Sequence, residues 1–254
     1  MTVDGKFVLV ANYAMGSGGP DQSLVALPVL PDGSLGPVAH SVRHEGKLGP
    51  IVDRQERSHP HCVVETPEGG MFLSAVLVLD EVIAYRLDND GSFKRVSNVA
   101  TPPGTGPRHI AQHPNSRFVY ISNELNSTVS LIERDGDEMR LVQTLPTAPA
   151  NVESHGADIH LSPDGRFLYC SNRGHDSITT FRVDQENGSL VEIGHSFTGG
   201  ATPRNFTLTP DGNWLLVAYQ NGACIAIFAI DKETGNLTDT GKRIEIGTPV
   251  CVRP

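Results

Sequence analysis

Four prolines, Pro67, Pro114, Pro163 and Pro210, end alternating apolar runs at spacings of 47, 49 and 47 residues. The strings around them, HCVVETPEGGMFL, HIAQHPNSRFVYISN, DIHLSPDGRFLYCSN and NFTLTPDGNWLLVAY, align without gaps. A weaker copy, VDGKFVLVANY, opens the chain with Asp4 where Asp164 stands in the third unit. A period in the forties marks supersecondary units that cannot bury their apolar face alone and must stack. Within each unit the pattern reads strand, tight turn, strand, loop, strand, turn, strand. PDG supplies the first turn signal, and ENGS and ETGN the later one. In the third proline unit the expected strands are 157–161, 167–171, 178–183 and 190–196. Helical spacing is nowhere sustained. The fold class is therefore all-β: a β-propeller of four-stranded antiparallel blades, with residues 1–254 as one domain.

The repeat departs from itself at two positions. Six residues before the prolines stand His61, Arg108, Ala157 and Arg204; ten residues after them stand Leu77, Glu124, Arg173 and Gln220. The first position opens the first strand of a unit and the second closes the strand antiparallel to it. A strand out and a strand back return the chain to one face, so both positions are expected at one mouth of the axial channel. His109, His155, Asp158 and Asn205 lie next to them in sequence. Ionisable residues that change from unit to unit suggest one shared, asymmetric site on a rigid scaffold. Asn12, Asn123 and Asn172, also in one register, read instead as structural hydrogen-bonding residues, and His113 and His160 likewise.

Those strings, above all GTGPRHIAQHPNSRFVYISNELNSTV, DIHLSPDGRFLYCSNRGHDSI, GGATPRNFTLTPDGNWLLVA and the closing TPVCV, resemble the lactonase family of β-propellers. That family includes propeller-type 6-phosphogluconolactonases and carboxymuconate cyclases. The likeness implies a site, without metal or other cofactor, that opens or forms a lactone. It places the family's His, two Arg and Glu on His61, Arg108, Glu124 and Arg173, with Arg204 as substitute for Arg173. Substrate contacts are expected from Arg204, His109, His155, Asp158 and Asn205. Family members have seven blades and this chain matches about five, so it is expected to be N-terminally incomplete relative to them. Its first strands are expected at 7–11, 24–29 and 37–42, and Val250–Val252 is expected to form a lone first strand. The ring is expected either as an open arc, whose free blade edges would self-associate, or as a strained five-blade closure.

The chemistry expected of such a set is hydrolysis of a sugar-acid lactone, 6-phosphogluconolactone first among them. Glu124 would act as base on water, His61 would protonate the departing alkoxide, and the arginines would hold the oxyanion and an anionic tail. A lactonizing cyclase and a non-catalytic propeller that binds a peptide or sugar acid are the alternatives. Arg108 is expected as an exposed loop residue whose loss spares the fold.

Composition narrows the partners. Twenty Lys and Arg against 29 Asp and Glu leave a net charge of −9 without a basic run, which argues against nucleic acid or an anionic membrane. Four widely separated cysteines read as free, buried thiols in a reducing, cytoplasmic setting. There is no H-E-x-x-H, no G-x-S-x-G and no zinc-ligand spacing. The glycine-rich YAMGSGGP stretch is expected to be a loop between strands.

Overall fold

The computed structural model describes residues 1–13, 22–57, 60–197 and 199–253. The glycine-rich stretch, from residue 14 on, lies outside the described residues.

Among them, strands form five antiparallel sheets and the helical content is a single 3-10 turn, Leu77–Leu79. The first sheet has three strands, β1 (Phe7–Ala11), β2 (Leu24–Pro28) and β3 (His40–Val42). Four-stranded sheets follow. The second holds β4 (Pro60–Glu65), β5 (Met71–Val76), β6 (Glu81–Leu87) and β7 (Phe93–Ala100). The third holds β8 (Pro107–Gln112), β9 (Phe118–Asn123), β10 (Thr128–Asp135) and β11 (Glu138–Pro146). The fourth holds β12 (His155–Leu161), β13 (Phe167–Arg173), β14 (Ser177–Val183) and β15 (Leu190–Ser196). The last holds β16 (Pro203–Leu208), β17 (Trp214–Tyr219), β18 (Cys224–Ile230) and β19 (Leu237–Glu245). These are the repeat units as the proline register divides them.

Contacts group the chain into two compact units, Met1–Ile110 with Arg134–Leu141 and Ala111–Glu133 with Val142–Pro254. The first is built on Phe7, Leu24, Phe72, Ile83, Tyr85 and Phe93. The second has two clusters, one around Phe118, Tyr120, Leu168 and Phe181 and one around Phe167, Tyr169, Phe206 and Phe228.

The periodic residues have local reasons. In the PDG turn, Asp164 Oδ1 accepts from Ser162 Oγ at 2.6 Å and from the Arg166 N–H at 3.1 Å, while Gly165 takes φ +73°. Ser116 holds the same turn position at φ 61°, where a non-glycine side chain is strained. The turn between second and third strands repeats too: Asp80, Ser127, Asp176 and Ala223 all have left-handed φ, between 48° and 55°. The two aspartates also reach forward in sequence, Asp80 accepting from the Gly104 and Gly106 N–H groups and Asp176 from that of Thr202. Neighbouring sheets are braced by Tyr120 Oη donating to Gly188 O at 2.8 Å and Tyr169 Oη to Gly235 O at 3.1 Å.

Two expectations are corrected. Val250–Val252 is not a strand, because no strand pairs with it among the described residues. It is nonetheless held like a first strand: Val252 N–H donates to Asn205 Oδ1 at 2.7 Å, as Phe206 N–H donates to Asp158 Oδ2 at 3.2 Å. The cysteines are free, but only Cys170 is buried; Cys62 and Cys224 are half-buried and Cys251 is exposed. Apolar neighbours in sequence did not guarantee burial, since alternate residues of a strand face opposite sides. Burial pushes the Cys170 thiol up from its ordinary value.

Candidate functional site

A β-bulge recurs where the first variable position falls. The ladder between β4 and β5 slips between Pro60 and Cys62, and that between β16 and β17 slips between Pro203 and Asn205. The slipped residues are His61 and Arg204. In β12 the irregularity lies between Gly156 and Ile159 and takes in Ala157 and Asp158. A bulge lifts its extra residue out of the ladder and re-aims the side chain. The sequence marks this position by variation; the bulge is the physical reason that it can vary without breaking the sheet.

In the first unit, Arg108 sits at the second position of β8 and is only 2% exposed. This overturns its reading as an exposed loop residue: Arg108 lies inside β8, and its side chain is covered although it stands near the strand's end. Its Nη1 lies 3.2 Å from His109 Nε2. The His109 ring meets the His61 ring edge-on with centroids 4.9 Å apart, and Tyr13 packs on the other histidine at 5.2 Å. Arg108, His109 and His61 thus form one cluster of a guanidinium and two imidazoles.

In the second unit, Glu124 directly follows β9 and is 4% exposed. Arg173 closes β13, and its Nη2 lies 3.4 Å from Glu124 Oε1 while donating to Gly156 O at 2.9 Å. His155 is the ladder partner of Arg173. Arg204 donates to Gln220 Oε1 at 3.5 Å, so in the last sheet the two variable positions of one repeat unit do meet.

Asp158 and Asn205 come together as well. Asn205 Nδ2 donates to Asp158 Oδ2, which also accepts from the Phe206 N–H and lies 3.1 Å from His160 Nε2. Asp158 Oδ1 accepts from the Ile159 N–H at 3.0 Å. Both oxygens therefore serve protein donors, and the pair ties β12 to β16. His160 stacks edge-on against Phe206 at 4.9 Å. The asparagines also behave as expected. Asn172 donates to Thr147 O at 2.8 Å and Thr179 Oγ1 at 2.9 Å, and Asn123 to Thr128 Oγ1 and Ser130 Oγ, both at 2.9 Å. Leu77 is buried in the 3-10 turn and brings no polar group.

A groove of about 760 Å³ runs beside Gly200, Cys224, Arg243 and Glu245, and none of the residues nominated from the sequence lines it. Its arginine is already paired with Asp239 at 2.6 Å. The carboxylate, guanidinium and imidazole chemistry lies elsewhere, in the two clusters around Arg108 and Glu124. Among the described residues no group of three or more His, Cys, Asp or Glu is arranged to hold a metal ion. No helix among them is long and apolar enough to cross a membrane.

Comparison with known proteins adds the following. The family model described as "Lactonase, 7-bladed beta-propeller" matches residues 1–254. A 6-phosphogluconolactonase of Bacillus subtilis (strain 168) is 38% identical over 205 residues, 79% of this chain and 56% of the relative. A second protein of that name, from Formosa agariphila, is 34% identical over 211 residues, 80% of this chain and 58% of its own. The chain thus spans little more than half the length of these curated relatives. Among solved structures, the periplasmic gluconolactonase of Pseudomonas aeruginosa superposes with a TM-score of 0.91 at 34% identity, covering 100% of this chain and 71% of that one. A putative 6-phosphogluconolactonase from Bacteroides fragilis gives 0.89 at 35%, covering 98% and 70%.

Proposed function

Because the chain belongs to the lactonase family of seven-bladed β-propellers, we propose that it hydrolyses a sugar-acid lactone, 6-phosphogluconolactone before others, to the open acid. The observation that carries this reading is the ion pair of buried Glu124 and half-buried Arg173, at 3.4 Å. A carboxylate and a guanidinium withheld from water at the ends of strands are costly unless used or fully partnered, and ester opening uses both.

In this reading Glu124 takes a proton from water as the water oxygen bonds to the lactone carbonyl carbon. The carbonyl oxygen becomes an oxyanion, stabilised by the forked donors of Arg173. As the ring C–O bond breaks, the proton that Glu124 took from water passes to the departing alkoxide, leaving a free hydroxyl and a carboxylic acid. Arg108, His109 and His61 form a second candidate cluster of their own, with Arg108 Nη1 3.2 Å from His109 Nε2. Arg204 and His155 are assigned to the substrate's anionic tail, while Asp158 and Asn205 are assigned to scaffolding, since each is engaged by protein partners. The relatives named 6-phosphogluconolactonase support the phosphorylated substrate. Four free thiols support a reducing, cytoplasmic setting.

The test is hydrolysis of 6-phosphogluconolactone and of glucono-δ-lactone by the purified chain, each against its spontaneous opening. A clear excess with the phosphorylated lactone supports the proposal. Rates equal to the spontaneous ones with both would overturn it and leave a binding module.

A further inference from the structure

We propose that Gly156 is a positioning residue for the Glu124–Arg173 pair, and that the repeat was altered at this position to supply it. The inference rests on the proposed lactone site and concerns what holds that site in register.

The repeat shows the alteration. Seven residues before the register prolines stand Pro60, Pro107, Gly156 and Pro203, and TPVCV carries Pro249 at the matching point. Proline has no N–H, so in these other units the position has nothing to donate. In β12 the N–H is present and is used: Gly156 N donates to Glu124 O at 3.0 Å. Its own carbonyl accepts from Arg173 Nη2 at 2.9 Å. One residue therefore fixes the backbone that carries the carboxylate and also the guanidinium that faces it. The same guanidinium nitrogen divides itself between Gly156 O and Glu124 Oε1.

Glycine is also what the space admits. A Cβ at this position would run into the Asn123 carbonyl oxygen and stand 3.2 Å from Ser122 Oγ. The close approach brings β12 against the end of β9, and it places the Arg173 side chain within reach of Glu124. The departure from proline thus gains a donor and removes bulk at the one strand start that meets the proposed base.

Two substitutions separate these contributions. Gly156→Pro restores the residue that the other units carry, so β12 should still form, but it deletes the N–H. Gly156→Ala keeps the N–H and adds only the Cβ. We expect Gly156→Pro to lower kcat at least 10-fold and Gly156→Ala to lower it less, with KM for the phosphorylated lactone changed less than kcat. Because the residue acts through Arg173, combining Gly156→Pro with Arg173→Ala should cost no more than Arg173→Ala alone, a non-additivity that a merely structural role would not give. Gly200→Ala, whose Cβ would meet the Tyr219 ring at 2.6 Å, serves as the control for general destabilisation and should keep kcat. The positioning role is overturned if Gly156→Pro keeps wild-type kcat, or if its effect adds fully to that of Arg173→Ala. Loss of activity confined to an unfolded Gly156→Pro, with Gly156→Ala fully active, would overturn it too. If Arg173→Ala and Glu124→Gln are themselves fully active, it is the lactone-site reading that fails.

Discussion

Arg173 Nη2 lies 3.4 Å from Glu124 Oε1, joining the last residue of β13 to the residue just past β9. The two stand 49 residues apart at the same place in successive repeats. Glu124 is 4% exposed and Arg173 is half-buried. If the pair works as base and oxyanion donor, Glu124→Gln and Arg173→Ala should each lower the rate by about 10²–10³. The double variant should fall well short of the product of the two losses. Steady-state kinetics on the phosphorylated lactone, corrected for spontaneous opening, decide this. The Glu124→Gln loss should persist at high pH, because an amide cannot be deprotonated into a base.

Arg108→Ala should lose stability as well as activity. Arg108 is 2% exposed and contacts His109 at 3.2 Å, so its removal leaves a half-buried imidazole and a space inside the strand. The expected cost is about 1–3 kcal/mol, read as a lower urea midpoint with an unchanged slope. A variant with an unshifted midpoint would contradict the buried placement.

Tyr120→Phe and Tyr169→Phe test the bracing between sheets apart from the chemistry. Each removes one hydrogen bond to a glycine carbonyl, at 2.8 and 3.1 Å, and should cost about 1 kcal/mol. Since the two sit in equivalent places of successive units, their costs should be similar, and kcat should stay at the wild-type value.

Much of this was legible before any coordinates. The proline register fixed the blades because each turn needs a residue of left-handed φ three positions in, and the residues Gly69, Gly165 and Gly212 are spaced to provide it. Asn172 could be read as structural because the same residue type recurs at the same position, and its bonds to Thr147 and Thr179 are those of a scaffold. The variable positions were found by their variation. What could not be read was depth. Arg108 and Glu124 look like mouth residues in the one-dimensional repeat, but burial depends on neighbouring units that the local sequence does not describe. Asp158 was nominated for substrate because it adjoins Ala157; that Asn205 engages it follows from a contact 47 residues away. The role of Gly156 was hidden for a different reason, since the loss of a proline is visible only once the N–H it frees has a partner.

His44 predicts an acid-labile fold. The imidazole is buried and stacks on Tyr85 with ring centroids 5.9 Å apart. Burial, aided by the charge of Arg95, pulls its pKa from 6.5 down to about 4. Its folded pKa lies below the unfolded one, so the unfolded chain binds the extra proton between these values. The contribution of His44 is complete above pH 6.5 and is lost as pH falls toward 4, by roughly 3 kcal/mol in all. Denaturant melts at pH 7 and pH 4.5 should show this slope, and His44→Phe should flatten it. A slope unchanged by that substitution would assign the acid sensitivity elsewhere.

The central claim is that the Glu124 carboxylate drives lactone opening. It is tested most directly by following 6-phosphogluconolactone disappearance with wild-type protein and with Glu124→Gln at equal concentration and matched folded fraction. The account predicts a wild-type rate well above spontaneous opening and a variant excess of about 1% of the wild-type excess or less. Equal excess rates for the two proteins would contradict it.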